Sequence, residues 1–353
     1  MNHWLKNIIM VKWRKHNGKK RLRVMSVELV TMGILWCYLY IYIIIASIEF
    51  GIGFFAYYGR FVSKKPSVHK LENAYDPRLW HITIIFFVLF VVGLIGFFPD
   101  TLEYYGRALI IPGIVVVILI LIRFLAHLLY KKEKNTGWFL FVYGSTGLLI
   151  PAALSIGLTI SEGGFIRREN EVVELLSWKL FLSPYSWSVV FLAVVSVLFI
   201  SASFLYFYKQ RMGDIAASET TRGYALFWSV PAIFASILVI VSLRGHNIRH
   251  FESGLDVWWL FALSLIFYFG AVYLIYTRKR QGLAFLFVLL QFLTAFFGYG
   301  ISHLPFILDP FITIQSFKGE RGWAALAALL IIGVLLIVPF GRMVRKLLDD
   351  KKE

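Results

Sequence analysis

The chain of 353 residues is 59% hydrophobic, 18% aromatic and only 16% charged, where a soluble domain averages about 45–50% apolar and about 25% charged residues. The apolar excess comes in blocks of roughly 20 or more residues, the length that crosses a hydrocarbon core of about 30 Å, so a water-soluble globular protein is excluded. The net charge of +16 falls in the gaps between these blocks, which fits membrane topology and not nucleic-acid binding.

Taken in chain order, nine apolar spans are expected, at roughly 27–58, 80–98, 104–130, 137–160, 184–209, 220–243, 255–277, 282–303 and 323–347. Ahead of them, residues 1–24 hold eight Lys or Arg, including "KKRLR" at 19–23. Trp4, Ile8, Ile9 and Trp13 would suit a basic amphipathic helix on a membrane surface. The preferred reading is that the natural start is Met25 and the residues upstream of it an over-extended reading frame; by domain, 1–25 is a basic N-terminal extension and 26–353 one integral membrane domain. No cleaved signal peptide is recognised.

The first span contains "IIIASIEFGIGFFAYYG" at 43–59, in which Glu49 lies in an apolar run with Gly51 and Gly53 behind it. The single cysteine, Cys37, also lies in this span. It excludes intrachain disulfides and multi-cysteine metal centres, and it reads as a buried, inert thiol. The gap that follows is basic, with Arg60, Lys64, Lys65 and Lys70. The second span opens on Trp80 and His81 and closes at Pro99; the loop at 99–103 carries Asp100 and Glu103 and no Lys or Arg. Arg123 and His127 in the third span are four residues apart, hence on one helix face. Lys131, Lys132 and Lys134 follow. The long loop at 161–183 mixes Arg167, Arg168 and Lys179 with Glu162, Glu169, Glu171 and Glu174. Gln291 and His303 lie in the eighth span, after the run Arg278, Lys279 and Arg280. The positive-inside rule puts these basic gaps and the tail, with Arg342, Arg345, Lys346, Lys351 and Lys352, in the cytoplasm.

A charge at the bilayer centre costs about 2.5–3.5 kcal/mol on insertion scales, so buried charges there are usually turned inward and often functional. Glu49 reads equally as a hydrogen-bond anchor between helices or as a proton-conducting group. His81 and His303 lie near interfaces, where a hydrated imidazole is the more frequent case; as haem ligands, the histidines would need partners that spacing does not supply. Arg123 is compatible with snorkelling, Gln291 with a helix–helix bridge, and Gly51 and Gly53 with close helix approach. No Walker-type loop, HExxH or Gly-x-Ser-x-Gly motif is present, leaving proton, electron or ion handling in the membrane.

The order of these features resembles subunit II of the cytochrome bd family of quinol oxidases, in a divergent, Bacillus-like branch. "SIEFGIG" is similar to the family's Gly-Phe-Asp-Phe-Gly-Val-Gly, with Glu49 at the acidic position and Gly51 and Gly53 following. "DPRLWHI" resembles the Pro-x-Trp-Asp opening of the second span, with Trp80 retained and His81 replacing the acid, and "GFFP" ends that span at Pro99. Arg123 fits the family's third-span arginine, but Leu128 stands where an acid is expected, beside His127. "GSTGLLIPAALSIGLTISEGGFI" and "FFGYGISHLPFILDPFITI" are similar to two further family segments. The resemblance covers about residues 26–347.

It implies an all-α, polytopic integral membrane protein, with about nine transmembrane helices in two four-helix bundles plus one peripheral helix. It implies a non-haem subunit of a quinol:oxygen oxidoreductase that carries no catalytic residue and binds no cofactor or metal of its own. Haem b and haem d would sit on subunit I, with which this chain would form a heterodimer in the bacterial plasma membrane. A small single-helix accessory subunit, membrane quinol, lipid and a structural quinone are further partners of the family. Glu49, His81, Arg123 and His127 would be the candidate proton path; Gly51, Gly53, Trp80 and Pro99 would be structural. The rival reading is a proton- or ion-coupled secondary transporter using Glu49, which calls for inverted repeats and broken helices.

Overall fold

A computed structural model of the chain describes residues 18–64, 77–132, 137–169, 172–318, 324, 326–333 and 335, with side chains described from residue 27 in the first helix and from residue 83 in the second. Residues 1–17 and most of the expected ninth span lie outside the described residues, as do the side chains of Trp80 and His81.

Helix α1 runs over Gly18–Tyr57 and closes with a π-helical turn at Tyr58–Val62; α2 covers Pro77–Phe97. Among the described residues, seven helices are long and apolar enough to cross a membrane, and α2 adds an apolar stretch at Thr83–Phe97. The expected third span divides into two helices. Pro99 leads into a short amphipathic helix α3 (Asp100–Ala108), and the spanning helix α4 (Ile110–Lys132) follows. Proline offers no backbone N–H to extend α2, and Asp100 and Glu103 complement the exposed N–H groups of α3's first turn. Helix α5 spans Gly137–Ser161.

The loop after α5 is built. It forms a hairpin, β1 (Ile166–Glu169) against β2 (Val172–Leu175), and a short helix α6 (Ser177–Leu182). Ser183 then caps α7 (Pro184–Arg211), accepting from Ser186 N at 3.4 Å, with proline at the first helical position, where its missing N–H has no partner to lose. Asp214 caps α8 (Ile215–His246) by accepting from Ala217 N at 3.1 Å. A second short amphipathic helix, α9 (Ile248–Asp256), precedes α10 (Trp258–Tyr276) and α11 (Gln281–His303). Two small strands, β3 (Phe306–Leu308) and β4 (Ile312–Thr313), follow α11 and pair antiparallel, with β3 packing on α5.

The spanning helices pack as two groups of four. Helices α1, α2, α4 and α5 form one, and α7, α8, α10 and α11 the other; α1 and α5 join them by packing on α7. The outward faces stay apolar, as on α4, where Ile111, Ile114, Val117, Ile118, Leu121 and Phe124 are exposed. This all-round hydrophobicity is what a helix facing lipid requires. Cys37 is exposed on the outside of α1, contrary to the buried thiol expected, because the face of α1 that packs inward carries Leu35 and Tyr38 on either side of it.

Candidate functional site

Helices α1, α2, α4 and α5 bring three of the sequence candidates together inside the membrane. Glu49 on α1 is 1% exposed, and its carboxylate accepts a long hydrogen bond from Thr83 Oγ1 on α2 at 3.3 Å. Arg123 on α4 is 2% exposed and does not snorkel to an interface. Its Nη1 donates to the Tyr143 carbonyl of α5 at 2.5 Å and its Nη2 to the Glu49 carbonyl at 3.2 Å. The guanidinium lies 3.9 Å from the Tyr143 ring centroid and 5.1 Å from that of Phe50. A planar, delocalised cation can stack and donate at once, which suits it to this dry position. His127, one turn further along α4, tilts against the same Tyr143 ring at 5.2 Å and is half-buried. Arg123 and His127 therefore share a face, as their spacing predicts. Leu128 is exposed on the outside of α4, so the position where the family has an acid faces away from the Glu49 cluster.

Small residues let the helices come this close. A Cβ on Gly53 would stand 2.6 Å from the Tyr143 ring, and one on Gly147 would stand 2.7 Å from Arg123 Nη1. Gly144 likewise packs on the backbone of Gly53. Such small-residue seams are the usual route to tight helix contact in lipid, where no hydrophobic force drives helices together. Gln291, expected as a bridge, is buried; its backbone oxygen accepts from Ser264 Oγ at 3.0 Å, while its Oε1 has no hydrogen-bond partner among the described residues.

A second cluster escaped the sequence reading. At the far end of the molecule Glu162 follows α5 directly and is fully enclosed. Gly163 and Gly164 adopt φ of +82° and +76°, and a side chain at Gly163 would run into the Asp309 backbone; this glycine turn folds the chain back and leaves Glu162 pointing inward. Both Glu162 oxygens lie 2.9 Å from His250 Nδ1 of α9, and Oε1 lies 3.4 Å from His303 Nδ1 at the end of α11. Tyr299 OH donates to Oε1, and Asn247 Nδ2 donates to Oε2 at 3.2 Å. Asn247 also caps α9, accepting from His250 N at 3.1 Å. Burial alone would raise the Glu162 carboxyl. The hydrogen bond from His250, the charges available on His303 and His250, and the Tyr299 hydroxyl outweigh it and hold the group below the usual carboxylate range. His303 is thus buried against a carboxylate, not a hydrated interfacial imidazole. No regular spacing links positions 162, 250 and 303; the only local signal was an acid immediately before two glycines at a helix end.

The two ends of the bundle differ in charge. Arg60, Arg222 and Arg278 bind Tyr130 and Glu219 at one end. The Glu162 cluster and the Asp100–Lys318 and Glu103–Arg168 pairs occupy the other.

Comparison with known proteins meets this geometry directly. The sequence pattern of the family described as cytochrome bd terminal oxidase subunit II matches residues 27–344. A Bacillus subtilis (strain 168) protein named putative cytochrome bd menaquinol oxidase subunit II is 28% identical over 331 residues, covering 90% of this chain and 94% of that one. A chain in the structure of bd oxidase from Geobacillus thermodenitrificans superposes with a TM-score of 0.79 at 41% identity, covering 93% of this chain and all of that one. These matches run through both helix groups and leave the transporter reading without support. The match of the family pattern along residues 27–344, borne out by the relatives in sequence and structure, places this protein in the cytochrome bd terminal oxidase subunit II family, as a membrane subunit of a respiratory quinol oxidase.

Proposed function

We propose that the chain is the non-haem subunit II of its oxidase, and that the Glu49 cluster takes part in moving protons from the cytoplasm towards the partner's oxygen-reducing haem. The family implies a partner subunit that carries haem; in this reading it is subunit I, bearing haem b and haem d, and the two chains form a heterodimer that oxidises membrane quinol. The observation that carries the proton reading is Glu49 itself, a carboxylate buried within a membrane span and hydrogen-bonded to a hydroxyl on the next helix. A carboxylate in that setting can accept a proton, and the Thr83 hydroxyl can both donate and accept one. Arg123, on α4, donates to the Glu49 backbone carbonyl and so holds that turn of α1. His81 and His127 complete the proposed path, since imidazole exchanges protons readily near neutral pH. Gly51, Gly53, Trp80 and Pro99 serve packing and chain direction.

The basic end of the bundle is assigned to the cytoplasm together with the C-terminus, in the bacterial plasma membrane, by the positive-inside rule. Residues 26–353 act as one membrane domain. A structural quinone and a single-helix accessory subunit belong to the same family-based reading.

The test is oxygen uptake by the purified complex carrying Glu49→Gln, an isosteric change that cannot ionise. Slowed turnover at unchanged haem content supports the path. Unchanged turnover at unchanged haem content overturns it and leaves Glu49 a helix anchor.

A further inference from the structure

His250 is held on both sides of its ring. Its Nε2 is 3.2 Å from the Tyr299 backbone oxygen and 2.7 Å from Ser302 Oγ, and its Nδ1 faces both oxygens of the Glu162 carboxylate at 2.9 Å. With the ring proton on Nε2, Nδ1 presents a lone pair beside the carboxylate, and a cation between them would bind both.

Three observations point to more than a shared proton. First, His303 Nδ1 also approaches Glu162 Oε1, at 3.4 Å, and its Nε2 is buried with no hydrogen-bond partner among the described residues. The second imidazole is thus not spent elsewhere. Second, one donor atom from each of the three residues lies within 4.8 Å of the others. Two ligand atoms each about 2.1 Å from one ion, at angles of about 90–110°, stand about 2.9–3.4 Å apart, which matches the two spacings to Glu162. Third, the outer partners are those that orient metal ligands. With an ion on Nδ1, the far N–H of His250 would point to the Tyr299 carbonyl, and the second carboxylate oxygen is held by Asn247.

We propose that Glu162, His250 and His303 form a binding site for a divalent first-row transition ion, with zinc as the reference cation. Two imidazoles and one carboxylate are a known zinc donor set and leave a position for water. The site joins the end of α5, in the first helix group, to α9 and α11 of the second. The ion is a cross-brace between the two groups at the face opposite the basic one.

The purified oxidase complex, exchanged into metal-free buffer and then titrated with Zn2+, tests this by elemental analysis normalised to haem iron. One tightly held zinc per subunit II is expected, falling at least about tenfold in Glu162→Gln and His303→Gln at equal haem content. X-ray absorption at the zinc edge of the unaltered complex decides the case even where a variant fails to assemble. Two imidazole nitrogens and an oxygen around zinc support the site. Zinc bound no better than in His303→Gln, or a first shell without imidazole, overturns it and leaves a protonated histidine against Glu162.

Discussion

Gly51 is a point where the two helix groups approach closely, and its replacement should be costly in a specific way. A methyl group at Gly51 on α1 would overlap the Ser201 side chain of α7 and come within 3.1 Å of the Val197 backbone oxygen. Ser201 is fully buried, and its hydroxyl is tied to Val197 O at 2.6 Å, so it cannot swing away. Overpacking of this kind costs about 1–3 kcal/mol. Alanine recovers up to about 1 kcal/mol over glycine inside a helix. Gly51→Ala should therefore destabilise the complex by about 1–2 kcal/mol. Ser201→Gly removes both overlapping atoms, so the double variant should recover most of the loss, with a coupling of about 1–3 kcal/mol. Ser201→Ala keeps the overlapping Cβ and should rescue less. The assay is the thermal unfolding midpoint of the detergent-purified complex across this cycle. A Gly51→Ala midpoint equal to the unaltered protein, or equal rescue by Ser201→Gly and Ser201→Ala, would refute the close-approach argument.

Arg123→Lys should not be conservative. An ammonium cannot reach the Tyr143 and Glu49 carbonyls while stacking on Tyr143, so at least one buried acceptor loses its partner, at about 1–3 kcal/mol; an unchanged unfolding midpoint would contradict this. Asn247→Ala removes the cap of α9 and a donor to Glu162. The cap alone is worth about 1 kcal/mol, and faster amide hydrogen exchange across residues 248–256 is the expected readout. Lys318→Ala, by contrast, deletes an exposed pair with Asp100 worth about 0–1 kcal/mol; a large drop in stability would show that this loop matters more than its surface setting allows.

Much of the fold was legible because lipid imposes a one-dimensional rule. A span must be long, apolar and helical to satisfy its backbone, so helices such as Ile110–Lys132 and Gly137–Ser161 show in the sequence to within a few residues at most ends. The interfacial pieces did not. Helices Asp100–Ala108 and Ile248–Asp256 and the hairpin at 166–175 are short and mixed in polarity, and the third span was consequently drawn several residues too early. Cys37 shows the same limit from the other side. Hydropathy places it in a helix, but which face of that helix meets lipid depends on the neighbours.

The sequence by itself determined that the chain crosses a membrane several times, that its charge is sorted to one side, and that Glu49, Arg123 and His127 are unusual enough to matter. Each of these is a cost paid locally against hydrocarbon, so each is written into the residue and its immediate surroundings. Only the tertiary structure decided what those residues touch. Arg123 reaches carbonyls on two other helices, Leu128 turns outward, and Glu162, His250 and His303 meet across 141 residues of chain. The reason is that a polar group in a dry interior is satisfied by whatever packing brings to it, and packing joins residues that no period or motif in the sequence relates.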